Sequence, residues 1–178
     1  MSIEQEVVSR AIKGDGEAFA QLYEEYSNKI YRYVYLRVGN QTEAEDLTQE
    51  VFVKALEGIR AYKWRNLPFA SWLFRIAHNH VIDYCRKSRK IERIDWDNNI
   101  HIDEPRPEVI VQRRFEAEEL AENLKRLSPA QREVISLRFS AELSVAEVAK
   151  TLGKRPGTVK ALQYNGIAAL RKMMLENR

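Results

Sequence analysis

One stretch constrains this chain more than any other: Phe69 to Lys90, FASWLFRIAHNHVIDYCRKSRK, reads as a single helix with two usable faces. A turn of about 100° per residue sets Phe69, Leu73, Ile76, Ala77, His80 and Tyr84 along one side. Arg75, His78, Asn79, Ile82, Arg86 and Arg89 fall on another. The first is a core stripe. The second mixes cations, an amide and an apolar side chain, and the helix runs out into Arg86, Lys87, Arg89 and Lys90, a surface suited to phosphate. Just upstream, Tyr62-Lys63-Trp64-Arg65-Asn66 interleaves aromatics with cations in a segment that Pro68 closes, the combination that unstacked bases bind. A solvated amphipathic helix preceded by a loop accounts for the same residues, and this stretch alone leaves both readings open.

The rest of the composition agrees with a helical architecture. With 44% apolar and 31% charged residues and only 7 Gly and 5 Pro in 178 residues, the chain is globular, soluble and helical rather than disordered or sheet-rich. Its length suits one domain or two small ones. A formal net charge of +3 argues little, but its distribution is uneven. Residues 1–54 carry −4, residues 55–94 carry +6, residues 95–122 carry −6 and residues 123–178 carry +7. Such alternation suits a protein that grips a polyanion at two places and another partner elsewhere. Cys85 is the only cysteine, which excludes an intrachain disulfide and fits a cytoplasmic home. The start, Met1 to Glu6, has no basic or apolar leader, and no apolar run approaches the roughly 20 residues of a membrane span. The expectation is a protein neither exported nor membrane-spanning.

Along the chain, Phe19, Leu22, Tyr23, Tyr26, Ile30, Tyr33 and Val34 recur at threes and fours and predict a helix over Glu17 to Val38. Its five tyrosines read mostly as core residues. Gly39-Asn40 ends it. Thr42 with Glu45 forms a capping box that opens the next helix, with Ala44, Leu47, Val51, Ala55 and Ile59 inward. Glu43, Asp46, Gln49, Glu50 and Val53 face away from that stripe. The helix dipole explains the early acids. It does not explain Gln49 and Glu50, whose face is equally suited to solvent and to protein docking. After the central helix, Asp95 to Pro107 has no period, two prolines and strong negative charge, and reads as a linker.

Helical periodicity resumes near Pro107 through Val111, Phe115, Leu120 and Leu124. Ser128-Pro129 with Gln131 starts a short helix filled by Val134, Ile135, Leu137 and Phe139. Ser144 with Glu147 starts another, which Gly153 stops. Pro156-Gly157-Thr158 opens the last, with Val159, Leu162, Gly166, Leu170 and Met173 inward. Two short helices about a tight glycine turn make the helix-turn-helix pattern, for which an ordinary helical hairpin is the alternative. In a helix-turn-helix, the second helix meets base edges with its N-terminal part. Arg155, Thr158, Lys160, Ala161, Gln163 and Tyr164 are then within reach of bases, and Arg138, Lys154, Arg171 and Lys172 suit phosphates.

His78, His80, Asp83 and Cys85 invite a metal or nuclease reading. Residues two apart on a helix point about 200° away from each other, so His78 and His80 cannot share an ion. No glycine-rich phosphate loop or Ser/His/Asp set accompanies them. The expectation is no catalysis, no metal and no cofactor.

Two sets of residues then match a family. Glu45-Asp46-Leu47-Thr48-Gln49-Glu50-Val51-Phe52, followed by Phe69, Trp72-Leu73, Arg75-Ile76-Ala77, Asn79, Asp83 and Arg86, resembles the second conserved region of bacterial extracytoplasmic-function sigma factors. Leu127, Pro129, Arg132, Leu137-Arg138, Leu143-Ser144, Glu147-Val148-Ala149, Leu152-Gly153 and Gly157-Thr158-Val159-Lys160 resemble the fourth. The resemblance implies an all-α protein of two small domains, residues 1–94 and 113–178, joined by an acidic linker over 95–112.

It also implies partners and sites. A sigma factor directs core RNA polymerase to promoters without catalysis of its own. Asp46, Gln49, Glu50 and Val53 would dock on the beta-prime coiled coil, with the beta flap as a further polymerase contact. Tyr62, Lys63, Trp64, Arg65, Asn66, Trp72, Arg75, Asn79 and Arg86 would open and read the minus-ten element as single-stranded DNA. The final helix would read the duplex minus-thirty-five element, and an anti-sigma factor would control the whole. One departure stands out: Ala161-Leu162-Gln163-Tyr164-Asn165-Gly166-Ile167 replaces the Arg-rich or His-Arg-bearing helix common in the family. A polymerase-independent helix-turn-helix regulator is the competing reading.

Overall fold

Short polar side chains start most of the helices by accepting hydrogen bonds from N–H groups that the first turn leaves free. The computed structural model describes residues 2–64, 67–92 and 119–176, with backbone alone for 89–92. The expected linker 95–112, the helix start near Pro107, and Arg65 and Asn66 lie outside the described residues. Helix α1 (Ile3–Ile12) begins at a reciprocal Ser2–Gln5 capping box and buries Val8 and Ala11. Asp15 caps α2 (Gly16–Val38), which ends at Gly39 in the left-handed region at φ 74°. Only glycine enters that region without steric cost.

The cap of α3 (Gln41–Gly58) is Asn40, whose side-chain oxygen accepts the Glu43 N–H at 3.0 Å. Thr42 lies within the helix, so the Thr42–Glu45 box of the sequence reading is corrected by one half-turn. After Gly39 redirects the chain, the asparagine side chain already reaches the free N–H groups. A tight turn, Ile59–Ala61, follows α3. Helix α4 (Phe69–Glu92) buries Phe69, Leu73, Phe74, Ala77 and Val81. Of the tyrosines on α2, Tyr26 and Tyr33 are buried, Tyr31 and Tyr35 half-buried, and Tyr23 exposed.

The C-terminal unit comprises helical residues 119–125 (α5), α6 (Pro129–Ile135), α7 (Val145–Leu152) and α8 (Pro156–Glu176). The expected Ser128–Gln131 and Ser144–Glu147 boxes and the left-handed Gly153 are all present. Residues Ser136–Ser140 widen the end of α6 into a π-type turn closed by Ala141 N–H to Ser136 C=O at 3.3 Å. The extra residue in the turn rotates Phe139 outward, 55% exposed, while Leu137 stays buried, which corrects the expectation that Phe139 fills the core. Among the described residues no strand occurs, and no helix is long and apolar enough to cross a membrane.

The two units share one core. Val134, Leu137, Leu143, Val148 and Val159 continue the N-terminal cluster of Tyr33, Val34, Phe74 and Val81. Leu36 of α2 packs on the smaller cluster of Leu124, Leu127 and Ile135. Within the C-terminal unit, α8 approaches α6 closely at Gly166, where an added Cβ would stand 3.0 Å from Ile135 Cγ1.

Candidate nucleic-acid interface

Three surfaces carry the residues that the sequence singles out. On α3, Asp46, Gln49, Glu50 and Val53 are all exposed along one track. The track continues into Leu56, 55% exposed, which sequence reasoning missed although its spacing from Val53 places it on that face. On the neighbouring α2, exposed Tyr23 packs edge-on against Phe52, with ring centroids 4.7 Å apart. Glu50 is held in place by α4: His80 Nε2 lies 2.5 Å from Glu50 Oε2. The face is therefore acidic at one end and apolar at the other.

The second surface surrounds the start of α4 and divides the expected residues. Tyr62 is buried, and its hydroxyl donates to Leu67 C=O at 2.6 Å. Its ring packs with Trp64, Phe69 and Trp72 at centroid distances of 6.1, 5.8 and 5.1 Å. Burial pushes its phenol up to about 12. Tyr62 is thus the floor of an aromatic cluster, and half-buried Trp64 and Trp72 with exposed Lys63 form its accessible rim. A groove of about 350 Å³ between α3 and α4 brings Trp72 and Asn79 together with Lys54, Gly58, Ile76, His80 and Asp83. Arg86 stands at the surface, 2.5 Å from Asp83.

Arg75 points elsewhere. Its guanidinium donates to the carbonyls of Lys150 and Thr151 at the C-terminal end of α7. There it satisfies carbonyls that a helix end leaves free, at the negative end of the helix dipole. Ser71, one turn earlier, donates to Glu147 C=O at 3.2 Å, and the Thr151 hydroxyl donates to the same carbonyl at 2.8 Å. Beside them lies a buried carboxylate. Glu133 of α6 accepts from the Tyr33 hydroxyl and the Arg37 guanidinium. His78 Nδ1 lies 2.8 Å from the same carboxylate. Burial alone would raise the Glu133 carboxyl, but His78, Arg37 and the Tyr33 hydroxyl together hold it below the ordinary carboxylate range. Burial, and then the Glu133 charge, push Tyr33 far above an ordinary phenol. His78 and His80 therefore serve opposite neighbours, Glu133 and Glu50.

The third surface is the outer side of α8. Lys154, Arg155, Thr158, Lys160, Ala161, Tyr164, Arg171 and Lys172 are exposed, Tyr164 to 75%. Buried Val159 and Gly166 fix which side faces out. Gln163 and Arg138 are occupied with each other, Arg138 Nε donating to Gln163 Oε1 at 2.9 Å, and Arg138 also donates to Leu143 C=O. Together they brace the turn between α6 and α7 against α8.

A family model described as Sigma-70 region 2 matches residues 22–91, and one described as Sigma-70, region 4 matches residues 123–172. The chain is 33% identical over 177 residues to the ECF RNA polymerase sigma factor SigW of Bacillus subtilis (strain 168), covering 94% of each chain. It is 38% identical over 171 residues to the ECF RNA polymerase sigma factor BldN of Streptomyces coelicolor, covering 95% of this chain and 65% of that one. Among solved structures, CnrH, determined in complex with the cytosolic domain of CnrY, shares the fold. The TM-score is 0.79 at 22% identity, with 99% of this chain and 100% of that chain covered. With both regions matched in order and SigW matched over nearly its whole length, the chain belongs to the extracytoplasmic-function sigma factors of the sigma-70 family.

Proposed function

We propose that this sigma factor binds core RNA polymerase through the exposed track of α3 and directs it to start at promoters carrying two separately read elements. The observation that carries the reading is the pairing, in one chain, of an acidic and apolar α3 face with a helix-turn-helix whose outer side is cationic and open. Asp46, Gln49, Glu50, Val53 and Leu56 would meet the beta-prime coiled coil, and the C-terminal unit the beta flap.

Lys160, Arg155 and Lys154 at the start of α8 would engage the minus-thirty-five duplex, with Tyr164 and Thr158 toward base edges and Arg171 and Lys172 toward phosphates. For the minus-ten strand, the rim of Trp64, Lys63 and Trp72 with Asn79 supplies stacking and hydrogen bonding. Unstacking a base costs a few kcal/mol, and an aromatic platform returns about 1–3 kcal/mol per base, so two rings suffice to tip the balance. The protein acts in the cytoplasm, without catalysis of its own, and an anti-sigma factor is its controlling partner.

The test is reconstituted transcription. Core polymerase with this protein should initiate at discrete sites on genomic fragments, and initiation on none of them would refute the reading. An operator-binding regulator would bind such fragments as a dimer and would fail to co-purify with polymerase subunits.

A further inference from the structure

We propose that His80 is a positioning residue for the α3 docking face: from α4 it fixes the Glu50 carboxylate in the direction from which a cation of the polymerase would engage it. The inference rests on the reading of that face as the polymerase contact. A carboxylate only accepts hydrogen bonds, so His80 Nε2, 2.5 Å from Glu50 Oε2, carries the proton of this contact. The two ends of the bond are unequal. The Glu50 side chain is 58% exposed and that of His80 14%. Glutamate is rich in rotamers and is the mobile end. The imidazole is the fixed end, set with Gly58, Trp72 and Ile76 in the wall of the groove between α3 and α4. An anchored donor therefore holds a side chain that would otherwise sample the solvent.

Fold stability does not account for the pair. Water competes for an exposed carboxylate, and ordering its side chain costs entropy, so such contacts add little to a fold. The geometry of an interface is a better account. His80 takes Oε2, and the carboxylate keeps acceptor sites for a partner's cation. The same pattern recurs two turns earlier on the face. Glu43, Asp46 and Glu50 follow at threes and fours along α3 and are all exposed. Half-buried Tyr84, one turn after His80 on α4, stands beside Glu43: burial, and then Glu43, push its phenol up to about 12. Two side chains of α4 thus meet two acids of one α3 face, on either side of Asp46. Association normally immobilises such side chains at a cost, so one that is already held is worth about two- to tenfold in affinity.

The test is a double-mutant cycle on the full-length chain, with affinity for core polymerase read by fluorescence anisotropy. While Glu50 is present, His80→Ala should weaken binding about three- to tenfold. In a Glu50→Ala background the same change should alter binding by less than about twofold. His80→Gln, whose amide can donate to Glu50, should bind within about twofold of the natural chain. An equal loss from His80→Ala in both backgrounds would overturn the proposal, because a merely structural role does not depend on the carboxylate. Full-strength binding by His80→Ala with Glu50 in place would overturn it as well. The docking reading fails separately. Asp46→Lys and Val53→Asp that bind polymerase at full strength would remove the whole α3 face from the contact. Weakened binding by those two variants alongside intact binding by His80→Ala would keep the face and dismiss His80 alone.

Discussion

The Arg37 guanidinium meets the Glu133 carboxylate across 96 residues of chain, and both side chains are more than nine-tenths buried. Removing one partner leaves the other buried and uncompensated, a penalty of about 3–5 kcal/mol. Arg37→Ala should therefore loosen the contact between the two units, read as an increased radius of gyration. Arg37→Met combined with Glu133→Leu and Tyr33→Phe removes the pair together with the hydroxyl that it satisfies and should keep the two units packed. An equal expansion of the single and combined variants would show that the pair does not govern docking.

Glu133 also fixes a pH dependence. Its carboxyl in the folded chain titrates below the ordinary value of 4.5, because the cost of burial is outweighed by His78, Arg37 and the Tyr33 hydroxyl, which favour the charged form. The stabilisation is thus complete above that ordinary value and is lost as pH falls through the lowered one. Scattering from pH 7 down to pH 3 should show expansion in the acid limb. Glu133→Gln should remove the part of that expansion due to this carboxyl.

Gly166 is required by packing rather than by backbone conformation. An added Cβ would meet Ile135 Cγ1 at 3.0 Å and Cδ1 at 3.2 Å, so a branched side chain forces α6 and α8 apart. Gly166→Val should destabilise the C-terminal unit by about 2 kcal/mol, within the range for overpacking. Urea unfolding followed by circular dichroism measures it.

These three sites separate what the sequence discloses from what it does not. Gly39, Gly153, Ser128 with Gln131 and Ser144 with Glu147 were legible because a turn or cap is decided within four residues. The same logic failed at α1, where Ser2 and Gln5 form an equally local box that the sequence reading passed over, and at Asn40, which stands two residues ahead of the box chosen. The inward position of Gly166 was legible from periodicity, but its contact with Ile135 was not. The surfaces were legible as charge and exposure on α3 and α8. The occupations of Arg75, Arg138 and Glu133 were not, because each depends on a carbonyl or side chain from another element. A free arginine and one capping a distant helix look alike in a sequence.

Tyr62 and Trp64 should behave differently despite their proximity. Tyr62→Phe removes the hydrogen bond to Leu67 C=O and should cost about 1 kcal/mol of stability, with unchanged promoter opening at temperatures where the protein is folded. Trp64→Ala should instead slow open-complex formation, read by permanganate footprinting. A larger opening defect in Tyr62→Phe than in Trp64→Ala would reverse the assignment of floor and rim.

Leu56 extends the α3 face beyond its acids. Leu56→Ser should leave stability within about 0.5 kcal/mol, as at other exposed sites, yet weaken core polymerase binding roughly tenfold if about 1.4 kcal/mol of apolar contact is lost. Fluorescence anisotropy of the labelled full-length protein measures the affinity. Unaltered affinity would confine the interface to Asp46, Gln49, Glu50 and Val53.

The grip of Arg75 on the end of α7 has a counterpart inside the C-terminal unit. Arg132 holds the end of α5 by donating to the carbonyls of Leu124, Lys125 and Leu127. Both arginines grip main chain, and a main-chain carbonyl is the same acceptor whatever side chain its residue carries. The side chain at position 150 can therefore change without loosening the grip of Arg75 on the end of α7. The exposed start of α8 can change its side chains without touching that main-chain grip.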